Sequence, residues 1–402
     1  MKTETQHDIV IVGGGLVGAS LAIALESAGL DVAMVEAASP GALPPVFDQR
    51  NLSFAETTCQ ALAALGVWPL LRGASPIRRI HASRNGDFGR VLLEAREMGR
   101  EAFGYVVIAR DFGEALDTRL AEVTHLNRRR PARFLGSTIR ADGLREVRIA
   151  DGESERVLVT KLLVGADGMD SSVRAALGIG AQRHDYGQTL FVCRVRASRA
   201  PDGTAWERLG PHGPTALLPR ADRHYGVVHG VASADADAVA ALDERAWLAR
   251  LQDAFGWRAG RFLASGERSR YPALRVVADK LVAPRAVLLG NAAQSIHPVG
   301  AQGFNLGLRD ALTLVEAIDR HGLDDRTMLE HYVARRREDR ERTLAFSDGM
   351  ARASANTGGM MRLLRSAGMA VLANAPGLRA RLAAGGMGYR GDVPAICREG
   401  AR

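Results

Sequence analysis

Residues 8–36 constrain the fold of this chain more tightly than any other stretch. Asp8 to Val12 (DIVIV) is a short apolar run that reads as a buried strand, and Gly13-Gly14-Gly15-Leu16-Val17-Gly18 follows it at once. Helix-compatible sequence continues to Gly29, a second apolar run spans Val32 to Val35, and Glu36 ends it. This is a strand–turn–helix–strand unit with G-x-G-x-x-G at Gly13, Gly15 and Gly18, the spacing that brings a pyrophosphate against a helix N-terminus. Gly13 permits the tight turn, Gly15 clears backbone space for the phosphates, and Gly18 lets helix and strand approach. Leu16 and Val17 belong to the same ligand-facing turn. Glu36 lies 18 residues past Gly18, near the roughly 20 expected of an acid that binds ribose hydroxyls. The pattern predicts dinucleotide binding and does not separate NAD from FAD.

Two distant segments fit the same ligand. In residues 287–311 (VLLGNAAQSIHPVGAQGFNLGLRDA), Val287 to Leu289 reads as a buried strand that Gly290-Asn291 stops. A loop with Pro298, Gly300, Gln302 and Gly303 then leads to a helix opening near Asn305, which would present free N–H groups and a positive dipole end to an anion. By itself this stretch suits an ordinary loop equally well. In Lys161 to Arg174 (KLLVGADGMDSSVR), Leu162 to Val164 is a further strand, Asp167-Gly168 turns out of it, and Ser171-Ser172 offers a helix N-cap. Asp167 there can reach a sugar or ribityl hydroxyl; a merely capping Asp is the simpler reading of that segment alone.

Together the three segments resemble the group A flavoprotein aromatic hydroxylases, the single-chain FAD monooxygenases of the p-hydroxybenzoate hydroxylase type. That family carries GxGxxG near residue ten, a central DG motif and a late G-D-A-A-H-x-x-x-P segment. They stand here as Gly13–Gly18, Asp167-Gly168 and Gly290-Asn291-Ala292-Ala293-Gln294-Ser295-Ile296-His297-Pro298, and the likeness spans about residues 7–345. Asn291 replaces the usual Asp and Gln294 the usual His. Asn291 keeps an acceptor for a ribityl hydroxyl but loses the charge. A closer resemblance, to the ubiquinone-biosynthesis hydroxylases and best to the 2-polyprenyl-6-methoxyphenol branch, rests on several further strings. These are Phe47-Asp48-Gln49-Arg50, Thr58 to Leu62, Leu65 to Trp68, Ala254 to Arg258 and Arg268 to Pro272.

The resemblance implies fold and chemistry together. The expected class is α/β: a Rossmann-like FAD-binding domain with an inserted antiparallel-sheet substrate domain and a C-terminal helical tail. Residues 1–75, 105–180 and 280–345 would form the discontinuous FAD domain, 76–104 and 181–279 the substrate domain, and 346–402 the tail. NAD(P)H would bind transiently and reduce FAD, and the reduced cofactor with O2 would hydroxylate an electron-rich phenol. Arg50 and Arg110 would reach the FAD phosphates or ribityl chain, with surface salt bridges as the alternative for each. Asn305 and the amides of 300–304 would face the reactive ring, and Pro298 would stiffen the loop beside it. His297 is a candidate base for the phenol, though a structural role suits it better. Leu217, Pro219, His229 and Tyr271 would line the substrate pocket, and each fits a core position equally well.

Local patterns fill in the organisation. Ile77 to Leu93 reads as a hairpin about Asn85-Gly86. Leu190 to Val231 alternates as an antiparallel sheet with turns at Pro201-Asp202-Gly203 and Arg220-Ala221-Asp222, and Ala238 to Phe255 reads as helical. No metal cluster stands out, and the three scattered cysteines (Cys59, Cys193, Cys397) suit a reducing compartment. The polar N-terminus leaves no room for a signal peptide, and no apolar run is long enough to span a membrane.

The net charge of +8 needs a partner or a structural account. Aromatics are 5%, too few to interleave a nucleic-acid face, so nucleic acid is not expected. The densest cluster, Arg335 to Arg342, carries Glu338, Asp339 and Glu341 and reads as a solvated helix face. Met360 to Leu382, broken at Pro376, either lies in a bilayer interface or packs as a helical hairpin, the hairpin being favoured.

The expected protein is therefore a cytoplasmic FAD monooxygenase acting on a hydrophobic polyprenyl phenol. Peripheral contact with the inner face of the cytoplasmic membrane and with other quinone-biosynthesis enzymes is a further expectation. The alternatives are a sister enzyme acting at another ring position or on another phenol, and a non-catalytic scaffold.

Overall fold

The computed structural model describes residues 4–43, 48–324 and 326–398; Phe47, from one of the resemblance strings, lies outside them. Its first sheet has eight strands. Along its spine lie Val282–Ala283, Ala286–Leu288, Ser154–Gly165, Glu4–Val12, Val32–Val35 and Leu126–Arg129. From Ala286–Leu288 to Leu126–Arg129 every pairing is parallel. Parallel strands are covered on both faces, which explains why DIVIV is an unbroken apolar run: Ile9, Val10 and Ile11 have no exposed surface. Each such side chain contributes about 1.5–3 kcal/mol through burial.

The register aligns the motifs. Val12 pairs with both Val35 and Gly165, and Gly165 pairs with Leu288. The turns that leave these strands, at Gly13, Ala166 and Leu289, therefore sit side by side at the carboxyl edge, where open parallel sheets bind ligands.

The second sheet has nine strands and is mostly antiparallel. Its main path runs Gln294–Ser295, Ser269–Ala278, Ala181–Ala197, Tyr225–Ala232, Gly213–Pro219, Thr204–Gly210, Arg79–Arg84 and Arg90–Glu94. The hairpin expected about Asn85-Gly86 is present as the last two strands, and the turn at 220–222 joins an antiparallel pair. The turn at Pro201-Asp202-Gly203 differs. It leads to Thr204–Gly210, which pairs with Gly213–Pro219 and runs parallel to Arg79–Arg84, so the chain crosses the sheet there. A smaller sheet joins Asn51–Ala55, Gly104–Ile108 and Ser75–Pro76.

The 287–311 segment stitches the two large sheets together. Its strand Ala286–Leu288 belongs to the first, Gln294–Ser295 pairs with Val276–Val277 of the second, and helix Gly303–His321 follows. The back of the second sheet is covered by helix Glu244–Phe255, whose Trp247, Leu251 and Phe255 pack with Phe191, Val195, Leu217 and Val227. That helix begins anew at its N-cap Asp243, so the single helix expected over 238–255 is two.

Helix Thr327–Ala355 runs unbroken across the boundary expected at residue 346, and the chain leaves it after Ala355. It then forms two helices, Gly359–Asn374 and Pro376–Gly386, with the break at Pro376. The arginine cluster on the long helix is solvated on one side only: Arg337, Glu338, Glu341 and Arg342 are exposed, but the other side turns inward. Arg336 and Asp339 are fully buried, and Arg309 and Asp310 of helix Gly303–His321 meet them. Arg309 Nε donates to Asp339 at 2.7 Å; Arg336 donates to Asp310 and to Asp339, both at 2.6 Å. Two cations and two carboxylates cancel, which is what allows them inside. Burial alone would raise the Asp339 carboxyl, but Arg309 and Arg336 outweigh it and hold it below its usual range.

Candidate functional site

Close backbone approaches weld the three turns together. Gly13 has φ +105°, and a Cβ there would lie 2.4 Å from the Ala166 carbonyl oxygen; one on Gly18 would lie 1.9 Å from that of Gly13. Val17 wedges between the late turn and its helix, since a Cβ on Gly290 or on Gly307 would fall 2.8 Å from its Cγ2. Arg174 completes the junction by donating to the Ala292 carbonyl at 2.9 Å and that of Met169 at 2.8 Å. The same turns open a cleft of about 810 Å³ between the two large sheets. That volume falls in the ~300–1,000 Å³ range of cofactor and ligand pockets.

The dinucleotide end of the cleft is polar. Gly13, Gly15, Leu16, Val17 and Glu36 line it, and helix Leu16–Ala24 starts there with no side-chain cap on its first N–H groups. Glu36 is held by N–H bonds from Gly14 and Ala38, each 2.7 Å. Asp167 and Gly168 also line the cleft. Asp167 accepts from Ser172 Oγ at 2.9 Å and Val173 N–H at 3.0 Å, so it caps the helix and faces the cleft at once. Asn291 projects into the cleft and its amide makes no hydrogen bond among the described residues. Gly168 and Gly303 border the cleft with nothing within 4 Å of a notional Cβ. An uncapped helix start, open glycine edges, an unpaired amide and a carboxylate fixed near the second strand together fit a flavin dinucleotide.

Arg50 lines the cleft, locked by a two-pronged ion pair to Asp48 (2.8 Å for both bonds) and stacked 4.3 Å above the Tyr271 ring. The Tyr271 hydroxyl donates to Asp48. Tyr271 is therefore a support for Arg50, outside the lining. The Arg110 side chain is exposed and also outside it; only its N–H takes part, bonding the Asp48 carbonyl at 2.9 Å.

In the ring-side loop Asn305, Gly300 and Gln302 lie outside the lining, and His297 takes the structural role favoured for it. Asn305 does not face the cleft. It is buried, its Oδ1 accepts from Ala55 N–H (2.9 Å) and Thr58 Oγ1 (2.8 Å), and its Nδ2 donates to the Ser53 (3.0 Å) and Ala301 (2.9 Å) carbonyls. It staples the helix start to strand Asn51–Ala55, and no bonding capacity is left for a ring. His297 is also buried: Nδ1 accepts from Val299 N–H (3.2 Å), leaving Nε2–H to donate to Gln188 Oε1 (3.0 Å). Burial pushes its pKa down to about 4. With both nitrogens engaged it has no free lone pair for a phenol. Gln294 lies behind the cleft, between Asp310 (2.5 Å) and Arg340 (2.9 Å), so its departure from the family pattern concerns the ion network rather than the flavin. Pro298, Ala301 and Gly303 supply the actual lining, while Gly300 (φ +74°) turns the loop and Gln302 ties it to the Gly386 carbonyl at 3.3 Å.

The sheet-side wall is one residue out of step with expectation. Pro214, Ala216, Leu218, Val228 and Glu207 face the cleft. Leu217 and His229 point to the opposite face, against Trp247, and Pro219 shares the parity of Leu217. Successive side chains alternate faces, so a one-residue slip exchanges pocket for core. His229 bonds Thr215 Oγ1 at 2.9 Å, and burial lowers its pKa to about 4.

Glu207 escaped the sequence reading. Its signal was a charge flanked at i±2 by Ala205 and Leu209, the mark of a carboxylate on an apolar strand face.

Residues 6–347 match the protein family described as FAD binding domain. A ubiquinone hydroxylase UbiL from Rhodospirillum rubrum is 35% identical over 90% of this chain and 85% of its own length. The Escherichia coli 3-demethoxyubiquinol 3-hydroxylase is 31% identical over 79% of this chain and 80% of its own. Human COQ6, a mitochondrial ubiquinone biosynthesis monooxygenase, is 27% identical over 92% and 90%. Among solved structures, p-nitrophenol 4-monooxygenase PnpA from Pseudomonas putida superposes with a TM-score of 0.77 at 18% identity, covering 95% of this chain and 97% of that one. The chain belongs to this family of FAD-dependent hydroxylases and monooxygenases, and its cofactor is FAD.

Proposed function

Within that family, we propose that this chain hydroxylates the aromatic ring of a polyprenyl phenol in ubiquinone biosynthesis, with 2-polyprenyl-6-methoxyphenol as the expected substrate. NAD(P)H and O2 are the co-substrates. The observation that carries the reading is the composition of the cleft. Its dinucleotide end is polar, while the end between the loop and the second sheet is walled by Ile296, Pro298, Pro214, Ala216, Leu218 and Val228. Such a wall suits a ring bearing apolar substituents and excludes water, which low-dielectric chemistry requires.

The chain's own residues have distinct tasks in this reading. Gly13, Gly15 and the start of helix Leu16–Ala24 take the pyrophosphate, Glu36 the ribose, and Asp167 and Asn291 the ribityl hydroxyls. Arg50, held rigid by Asp48 and Tyr271, places a cation beside the bound cofactor. Bound FAD supplies the redox chemistry, and the protein supplies position and dryness. Pro298, Ala301 and Gly303 set the distance between ring and cofactor.

The lipid-like substrate also gives the tail a role. Met360, Leu364, Ala367 and Val371 form an exposed stripe at i, i+4, i+7 and i+11 of helix Gly359–Asn374. On its other face Arg365 pairs with Asp87, and Met369 and Leu372 pack inward. No helix among the described residues is long and apolar enough to cross a membrane. An interfacial helix of this kind would hold the enzyme where its substrate is dissolved.

Purified protein tests the assignment. It should be yellow with stoichiometric FAD, and a one-isoprene 2-prenyl-6-methoxyphenol should stimulate NAD(P)H oxidation and gain one oxygen from labelled O2. A deletion strain should accumulate the polyprenyl-methoxyphenol. Colourless protein that takes up no FAD would refute the enzyme reading, and accumulation of another intermediate would refute the substrate.

A further inference from the structure

We propose that Glu207 binds the phenolic hydroxyl of the substrate and takes its proton during ring hydroxylation; this rests on the hydroxylase reading above. Among the described residues lining the sheet-side wall, Glu207 is the only ionisable one, beside Pro214, Ala216, Leu218 and Val228. Its cross-strand partners are Ala216 on one side and Ala82 on the other, and Ala205 and Leu209 flank it at i±2 on the same face. It makes no hydrogen bond or ion pair among the described residues. The cations nearby are committed elsewhere: Arg84 and Arg365 to Asp87, Arg379 to Glu97, Arg352 to Asp348 and Arg50 to Asp48. Glu36 across the cleft is held by backbone N–H groups, and Arg208, Tyr225 and His229 lie on the back face of the sheet.

Glu207 is half-buried and water reaches it in the open cleft; once a ligand fills the cleft, an unpaired carboxylate in this apolar wall is costly unless the ligand satisfies it. Burial lifts its pKa to about 7, matched to proton transfer at neutral pH far better than an ordinary glutamate. A phenol O–H fills the vacancy: it donates one hydrogen bond, and the remaining apolar wall takes the ring and its substituents. Fixing the oxygen also fixes which ring carbon faces Pro298 across the cleft, so Glu207 would set the ring position.

The step balances. The phenol O–H bond breaks, its proton passes to a Glu207 oxygen, and the electron pair flows through the ring to the carbon that bonds the incoming oxygen. That oxygen derives from O2, whose other atom leaves as water, with NAD(P)H as the two-electron reductant and a solvent proton completing the water. The ring carbon then loses its hydrogen as a proton to solvent. The ketone oxygen recovers its proton from Glu207, restoring the aromatic ring and the carboxylate.

The test uses FAD-loaded protein with one-isoprene 2-prenyl-6-methoxyphenol and its methyl ether, followed by flavin absorbance. Wild-type protein should bind the phenol at least tenfold tighter than the ether, with kcat/KM rising through an apparent pKa near 7. Glu207→Leu should reduce the discrimination to about twofold. Glu207→Gln, which keeps the shape, should lower kcat on the order of 100-fold and abolish the limb near pH 7. FAD content should be unchanged in both. Discrimination retained in the Leu variant, or a limb near 7 retained in the Gln variant, overturns the proposal. Should the Leu variant not fold, the Gln pH profile decides alone. Wild-type protein that fails to hydroxylate the phenol would instead overturn the hydroxylase reading.

Discussion

Replacing Asn305 by alanine separates a structural staple from a catalytic group. Four bonds vanish together, because the amide joins Ala55 N–H, the Thr58 hydroxyl and the carbonyls of Ser53 and Ala301. Thr58 can rotate to a new partner and the carbonyls tolerate a lost bond, but the buried Ala55 N–H cannot move. Leaving such a donor unpaired costs about 1–3 kcal/mol, and the other three losses add roughly 0.5–1 kcal/mol each. The total is about 2.5–6 kcal/mol. At about 2 °C per kcal/mol for a long chain, the melting midpoint should fall by roughly 5–12 °C. Asn305→Asp should fall similarly, since its second oxygen would face two carbonyl oxygens instead of donating to them. Differential scanning fluorimetry without FAD and at saturating FAD measures this, with turnover assayed well below the new midpoint. A variant that melts within 2 °C of wild type yet turns over a hundredfold more slowly would show that Asn305 acts on the reacting atoms, and the staple argument would fall.

Three further outcomes follow from other parts of the fold. Gly307→Ala should lose flavin affinity at least tenfold, because the new methyl meets Val17 Cγ2 at 2.8 Å and Gly290 Cα at 3.1 Å. Adding Val17→Ala should recover part of that affinity in a flavin titration, and no recovery would argue against the wedge. Asp339→Asn leaves Arg336 with Asp310 alone and takes from buried Arg309 the carboxylate it pairs with, and should destabilise by about 3–5 kcal/mol in urea unfolding. A loss below about 1 kcal/mol would mean the network carries little. His229 and His297 have folded pKa values near 4, below the ordinary histidine value, so the unfolded chain binds protons that the folded one refuses as pH falls from about 6.5 to 4. Stability should decline across that window, by up to about 3 kcal/mol per histidine, and be flat in this respect above pH 7. His297→Gln should flatten its share of the slope; an unchanged slope contradicts the assignment.

Much of the site was legible because its signals are local. A glycine that must accept a positive φ or a touching carbonyl, as Gly13 and Gly18 do, leaves a mark independent of the rest of the chain. Leu217 and Leu218 carried no comparable mark, because two adjacent leucines on a strand give no parity. The face is set by pairing with Trp206 and Val227 on neighbouring strands, and those pairings are long-range. Arg336 and Asp339 looked like solvated charge because their partners, Arg309 and Asp310, lie a helix away.

The 8–36 unit by itself determined that a parallel sheet forms and that a dinucleotide lies across its carboxyl edge. Backbone geometry at glycine, strand period and helix polarity are properties of a few consecutive residues, and they hold wherever those residues are placed. Tertiary structure decided which polar groups remain free once folding has used the others. Asn305 and His297 are consumed by neighbours distant in sequence, while Asn291 and Glu207 are left facing the cleft. A side chain is available for chemistry only if no other part of the chain has already satisfied it, and that depends on the whole fold.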